Sequence, residues 1–342
     1  MALADDADGI RNVRTRRMRD LRTDGLTTPA ATLADPGLCH DHFSTARWTE
    51  FAGDVREFRR ATKARRHWEN MQRDHGYNPP PVWTLIGRSL ASLAPPTPAF
   101  LGFLASLDLA LIAAALALLG WAFGARIALT AAIFWATQAP SDFGWTGGGF
   151  LRQDWLFCVI AALALLRKRR PALAGAALAT AALLRLFPAL LFVGPLAVAL
   201  GTLLLRPRAS FQFEGRFFAG AAAALLLLGA ASVYGVGGSA YPAFWEHIQL
   251  RHTSAITNHM SLRTLFAFAP DARIVDLVEP GRFDPGAAWV EARAQRLEEV
   301  GGLYRLASAA LVLATLLVGL RLRTSWAGLA VSVPLIAALT DP

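Results

Sequence analysis

Hydrophobic positions in this chain come in blocks, not in alternation with polar ones. Against a span of about 20 residues, apolar segments fall near 98–121, 126–140, 154–166, 171–187, 188–205, 216–236, 302–320 and 325–340. This pattern predicts an all-α, multi-pass transmembrane bundle of about eight membrane segments, several of them short. Upstream, residues 1–40 are charged, lack helical apolar periodicity and carry Pro29 and Pro36, so they read as irregular or short-helical surface. From Trp48 the pattern changes: Phe51, Val55, Phe58, Ala61, Ala64, Trp68 and Met71 follow at intervals of three or four. Arg56, Arg59, Arg60, Lys63, Arg66 and Arg73 fill the other side.

That spacing predicts a basic amphipathic helix over 45–75. Its tryptophans and arginines suit a helix lying in the lipid headgroup plane, and they suit equally a helix packed on the protein's own outer loops. The run GYNPPPVW, Gly76 to Trp83, reads as a rigid, non-helical connector into the membrane, because successive prolines remove donors and enforce extended geometry. The chain then divides into an outer-face polar region (1–97), a transmembrane bundle (98–236), a large outer loop (237–301) whose 287–299 part reads as a helix, and closing transmembrane helices (302–342). No internal repeat stands out, which counts against a transporter built from repeated halves.

Composition agrees with the blocks: of 342 residues, 54% are apolar and only 17% charged, unlike two soluble domains of the same length. The net charge of +9 does not indicate a nucleic-acid partner, since the basic residues are split between the N-terminal region and short connections. Arg126, the run Arg167 to Arg170, Arg206, Arg208 and Arg216, and Arg321 with Arg323 occupy alternate connections, as positive-inside bias requires of cytoplasmic loops. The connection 145–154, the turn at Arg185, the loop 235–301 and residues 1–97 then face outward. So long a polar region crosses a membrane only behind a signal peptide or an earlier helix. The expectation is therefore a helix upstream of Met1, and a cut end after Thr340; an intact chain of opposite topology is the alternative. Cys39, in a polar region, and Cys158, in an apolar one, suggest no disulfide framework.

Polar chemistry converges on the outer side. Arg152, Gln153, Asp154, Arg185, His252, Asn258, His259, Ser261 and Arg263 form a set suited to an anion carrying a sugar, since guanidinium groups grip phosphate and carboxylate or amide groups orient hydroxyls. Ionisable groups at membrane depth line cavities, pair or snorkel, so Asp154 reads either as ligand-binding or as the structural partner of Arg152 or Arg185. Arg185 reads as functional or as a snorkelling side chain. Gly147 to Gly149 allow close approach to a ligand, or simply a flexible turn. His252 and His259 have no Cys, Asp or Glu placed to complete a metal site, so no metal is expected. Asp108, inside the first apolar segment, reads as polar lining or as a helix-pairing residue.

At these residues the chain resembles the polyprenyl-phosphate-sugar-dependent glycosyltransferases of the GT-C superfamily, in the family that contains bacterial alpha-mannosyltransferases. The likeness rests on an outer-loop motif followed by RRPALAGAALATAALLRLFP, on Asn258, His259, Met260, Ser261 and Leu262 as an N-x-S-L element, and on the proline-bearing connector Tyr77 to Pro81. Arg185 holds the place of the family's lysine. The chain departs from the family in reading Arg152, Gln153, Asp154 where G-Q-x-N is usual, so only the glutamine carries over. It also begins after the place of the family's first helix and of the acidic residue that serves as general base.

The resemblance implies an inverting single displacement on the outer, periplasmic face of a bacterial inner membrane. A hexose, mannose by family habit, would pass from a polyprenyl-phosphate donor to a hydroxyl of a lipid or glycan acceptor. A phosphate leaving group needs little protonation, so cations that stabilise its charge replace a general acid. That role falls to Arg185 with Arg263 or His259, and Asp154 becomes the substitute candidate for the catalytic group. Membrane lipids are expected partners, with the basic helix recruiting anionic lipid or donor. No nucleotide-binding glycine loop follows a strand, and no cofactor is expected. The other readings are a multi-pass transporter or lipid-handling permease, and a catalytically inactive fragment or scaffold.

Overall fold

A computed structural model of the chain describes residues 1–62, 65–138, 150–206, 209–253 and 261–340. The described residues form an all-α protein with a single two-stranded ribbon, β1 (Met18–Asp20) against β2 (Gly25–Thr27), in the N-terminal region. Its N-terminal unit includes α1 (Ala2–Ala7), α2 (Thr45–Ala61) and α3 (Arg65–Met71), with two single-turn helices at Ala30–Ala34 and Gly37–His40. The bundle comprises α4 (Pro81–Ala91), α5 (Pro98–Phe123), α6 (Ala125–Ala136), α7 (Asp154–Arg167), α8 (Pro171–Leu184), α9 (Val193–Leu205, entered through a 3-10 turn at Phe187–Phe192) and α10 (Gln212–Val236). The outer segments α11 (Ala240–Thr253) and α12 (Leu262–Phe266) lead into α13 (Ala287–Arg321) and α14 (Ser325–Leu339).

Each apolar block is helical where it is described, but among the described residues four helices, not eight, are long and apolar enough to cross a membrane: Pro98–Phe123, Phe187–Leu205, Gln212–Val236 and Ala287–Arg321. The reason is length. Helices α7 and α8 have 14 residues each, which is about 21 Å at 1.5 Å per residue, short of the roughly 30 Å hydrocarbon core. Large apolar side chains on the long helices point outward, such as Leu226 at 73% and Leu204 at 70% exposure. Surface of that kind needs lipid rather than water around it, and the chain is a membrane protein.

Two details of the connections differ from the sequence reading. The stretch Gly76 to Trp83 is not wholly extended: Pro81 opens α4, so Val82 and Trp83 are helical. Proline is tolerated at the first helical position because its missing N–H would be unpaired there anyway. The border between outer loop and membrane at residue 301 falls inside one continuous helix, since α13 runs 35 residues through Gly301 and Gly302. At about 52 Å it is longer than the hydrocarbon core and carries the loop's helical part on the same rod.

Small residues let the helices of the bundle meet backbone to backbone. A Cβ on Gly175 of α8 would fall on the carbonyl oxygen of Phe217 in α10, and one on Gly220 of α10 would fall on that of Ala172 in α8. Gly194 of α9 meets the carbonyl of Gly328 in α14, and Gly201 that of Leu320 in α13, in the same way. Close approach through glycine is how apolar helices associate where no water drives them together. Around these crossings lies the main core, with Ala162, Leu178, Leu191 and Phe217 at 0 to 1% exposure.

The N-terminal region is more ordered than its sequence suggests. Ala4 of α1 packs with Ala52, Val55 and Trp68, so much of the apolar stripe of the amphipathic stretch is covered by the protein itself. Trp48 packs edge-on against His40 and Phe43. Its basic side is engaged too: Asp5, fully buried, takes Arg16 at 2.5 Å and Arg59 at 2.6 Å, and the indole N–H of Trp68 at 2.9 Å. Arg59 reaches Asp8 as well, at 2.6 Å. The amphipathic stretch 45–75 is two helices, α2 and α3, not one; Val55 and Trp68 pack with Ala4 of α1, while Phe58 and Met71 stay exposed at 42% and 49%. Arg17 donates to the carbonyl of Arg282 at 3.1 Å, tying this unit to the outer loop.

Candidate functional site at the top of the short helices

The shortness of α7 and α8 places their ends inside the bundle. Asp108 stands 10 residues into α5, about 15 Å from that helix's start, and its carboxylate accepts the backbone N–H of Arg152 at 3.0 Å and of Gln153 at 2.9 Å. Helix α7 therefore begins at the depth of Asp108. At its other end Arg167 lies over the ring of Phe123, the last residue of α5, so α5 and α7 run side by side in one direction. Helix α4 packs by the start of α7, its Val82 and Trp83 buried with Leu151 and Leu184. Arg88 fastens α4 to the end of α10 by donating to the carbonyl of Gly235 at 3.3 Å.

The turn before α7 owes its shape to tertiary partners. Leu151 has a left-handed backbone, φ 47°, unusual for a residue with a branched side chain. Its side chain is buried and its carbonyl accepts the Trp83 indole N–H at 3.1 Å. The two N–H groups that follow turn together onto Asp108. Non-helical backbone at membrane depth is tolerated where protein satisfies it, and Asp108 and Trp83 supply what this turn requires. Of the two readings of Asp108, the helix-pairing one describes it, and it pairs α5 with α7 through the backbone N–H groups of the turn that starts α7.

Asp154 opens α7 and is 8% exposed. Its Oδ1 accepts the N–H of Trp155 at 2.7 Å, whereas Oδ2 is buried with no hydrogen-bond partner among the described residues. Arg185, the residue after α8, sits with its guanidinium carbon 5.7 Å from the centre of the Trp83 ring. Asp154 and Arg185 lie in each other's field, with Asp108, Arg152 and Tyr77 also near Arg185, yet they form no ion pair. The structural pairing of Asp154 with Arg185 weighed from sequence is therefore not what these side chains do. Ring contact between Trp155 and Phe187, with centroids 4.7 Å apart, keeps the beginning of α7 and the end of α8 at one level.

A carboxylate oxygen and a guanidinium that share a protein-enclosed corner without closing on each other can be bridged by a polar ligand. The arginine supplies donors for an anionic oxygen and the carboxylate an acceptor for a hydroxyl. Gln153 and Arg152 enter this corner through their backbone, held by Asp108. Ser261 and Arg263 belong elsewhere in the described structure: they flank and form α12, which packs on α13, with Phe266 against Tyr304 at 6.0 Å. Neither shares a hydrogen bond or ion pair with Asp154 or Arg185. Asn258, His259 and Gly147 to Gly149 lie outside the described residues, as do the side chain of His252 and its contacts. Sequence reasoning did not single out Trp83, whose ring carries Arg185; an indole five residues past Asn78 gave no sign of a partner 102 positions away.

In comparisons with models of protein families, with curated proteins and with solved structures, nothing matches this chain.

Proposed function

We propose that the protein is a membrane glycosyltransferase of the GT-C kind that takes a hexose from a polyprenyl-phosphate donor, and that the corner between Asp154 and Arg185 receives the phosphosugar. The observation that carries this reading is the orphaned, buried Oδ2 of Asp154 beside a guanidinium that is stacked on Trp83 but not ion-paired. A buried acceptor without a partner is costly, on the order of 1–3 kcal/mol, and a sugar hydroxyl would satisfy it. Arg185 would hold the phosphate and stabilise the charge that develops on it as the anomeric bond breaks. The prenyl chain would lie along the exposed apolar faces of the bundle.

In the displacement itself the acceptor hydroxyl loses its proton as its oxygen bonds to the anomeric carbon, and polyprenyl phosphate leaves with the electron pair of the broken C–O bond. Asp154, with its Oδ2 buried and unpaired among the described residues, would take that proton. Location in a bacterial inner membrane with the site facing outward, and a lipid or glycan acceptor, belong to the same reading. The N-terminal unit and the outer loop, joined through Arg17, would then cover the outer end.

The test is transfer from a radiolabelled polyprenyl-phosphate-mannose in membranes that contain the chain. Native protein should transfer label, and Arg185→Gln should lose about 100-fold or more, as removal of one charge-stabilising donor does, at undiminished protein level. Absence of transfer from any polyprenyl-phosphate hexose, together with uptake or flipping of a solute or lipid, would establish the transporter reading instead. Full transfer by Arg185→Gln and Asp154→Asn would move the reaction away from this corner.

A further inference from the structure

The basic connections that the sequence places on one side do converge. At the end of the bundle opposite Asp154, a cavity of about 510 Å³ is lined by Arg167, Arg169, Arg206 and Arg323, with Glu214 the single carboxylate among its lining residues. Arg167 and Asp154 lie at the two ends of α7, about 20 Å apart along its axis, so this is a separate place from the site above.

Its side chains are arranged for an anion. The guanidinium of Arg167 stands against two rings, 5.5 Å from the centre of Trp326 and 5.9 Å from that of Phe123. Aromatic contact fixes its plane and leaves its N–H edge free to donate. Arg206 is held as well, donating to the carbonyls of Leu320 and Arg321 at 3.1 and 3.0 Å, which caps the end of α13. The side chains of Arg167, Arg169 and Arg323 make no ion pair or hydrogen bond among the described residues, although Glu214 is in the same cavity. Four like charges facing one space repel one another, and an anion between them removes that penalty.

A second observation points the same way independently of charge. Ser325, the first residue of the 15-residue α14, is 3% exposed, lines the cavity, and its Oγ has no hydrogen-bond partner among the described residues. A buried hydroxyl is rarely left unpaired. Here it stands at a helix N-terminus, where backbone N–H groups and the helix dipole also favour negative charge.

We propose that this cavity binds a phosphate group. A tetrahedral oxyanion can take bidentate donation from arginine and the Ser325 hydroxyl at once, and Leu166, Phe213 and Trp326 give the cavity an apolar flank on which an acyl chain can rest. The group is the same whether it belongs to a phospholipid headgroup or to free phosphate.

The experiment uses the full chain in mild detergent. Native mass spectrometry reads retention of dioleoyl phosphatidic acid against dioleoylglycerol, which lacks the phosphate, and thermal unfolding reads the effect of inorganic phosphate against chloride at equal ionic strength. Phosphatidic acid should be retained and dioleoylglycerol not. The double variant Arg169→Gln with Arg323→Gln should weaken retention about tenfold or more, while Arg126→Gln, a basic residue at the same end but outside the cavity, should leave it unchanged. Stabilisation by inorganic phosphate that is lost in the double variant identifies phosphate itself as a sufficient ligand; retention of the lipid alone identifies a headgroup. Ser325→Ala, a smaller change, should weaken retention of the lipid as well and serves if the double variant does not fold. Equal retention of dioleoylglycerol, or native affinity in both variants, overturns the proposal.

Discussion

The carboxylate of Asp108 accepts the backbone N–H of Gln153 at 2.9 Å, joining the middle of α5 to the start of α7 across 45 residues. With the N–H of Arg152 on its other oxygen, Asp108 satisfies both donors of a turn that would otherwise be buried and unpaired. Asp108→Asn keeps one acceptor and turns an amide N–H₂ toward the other donor, at a loss of about 1–3 kcal/mol. Asp108→Leu removes both acceptors and should lose more. Thermal unfolding in detergent measures the difference; a midpoint in Asp108→Leu equal to that of the native chain would show that the turn is held by something else.

The glycine crossings predict an asymmetry among alanine substitutions. Gly175→Ala and Gly220→Ala drive a methyl onto a backbone carbonyl of the facing helix, which cannot swing aside, so each should destabilise by about 1–3 kcal/mol as overpacking does. At Gly102 and Gly229 an added methyl would meet nothing within 4 Å, and alanine there should be neutral or slightly stabilising, by up to about 1 kcal/mol. Parallel unfolding curves for all four variants decide it. Equal loss at crossing and open positions would mean that helix separation does not limit stability.

Asp5 makes the N-terminal unit acid-sensitive. Burial raises its pKa most of any single influence, but hydrogen bonds from Trp68, Arg16 and Arg59 together outweigh it, and the net shift is downward from 3.8. A depressed folded-state pKa contributes stability that is complete above the unfolded value and is lost as pH falls through the folded one. The unit should therefore keep its structure at neutral and mildly acidic pH and loosen below about 3.8, with Trp68 emission as the probe. Asp5→Asn leaves Arg16 buried at 4% side-chain exposure without its carboxylate, which should cost about 3–5 kcal/mol and abolish the acid transition. A Trp68 signal that titrates identically in Asp5→Asn would assign the transition to other carboxylates.

Much of this architecture is visible in hydropathy, and what is not visible has a common cause. Every apolar block is helical where it is described because burial and lipid contact follow composition, and the basic connections met at one end because charge bias follows topology. Helix length failed as a guide at α7 and α8: a run of apolar residues shows that a segment is buried, but not whether protein or lipid buries it. The decisive partners were tertiary. Asp108 binds backbone N–H groups, which carry no residue identity in the sequence, and Asp5 lies in a stretch whose polarity concealed a buried charge cluster. At the site, Asp154 and Arg185 were readable as ionisable groups in apolar surroundings, whereas Trp83 was an ordinary aromatic until the fold set it beneath Arg185.

Trp83 has two roles that substitution can separate. Its indole N–H donates to the Leu151 carbonyl at 3.1 Å, and its ring face carries the Arg185 guanidinium at 5.7 Å. Trp83→Phe keeps a ring but loses the donor, leaving a buried carbonyl short of one hydrogen bond at a cost of about 1–3 kcal/mol. Trp83→Leu loses the ring as well, and with it about 0.5–2 kcal/mol of cation–π attraction that orients Arg185. If orientation of Arg185 is what the proposed transfer requires, the step from Phe to Leu should lower turnover several-fold, while the step from Trp to Phe should appear mainly in stability. Arg185→Lys should resemble Trp83→Leu, because an ammonium keeps the charge but has no plane to stack. Turnover that follows unfolding temperature across all three variants would reduce Trp83 to a packing residue; turnover that falls at constant stability in Trp83→Leu and Arg185→Lys alone makes the stacked guanidinium part of the reaction.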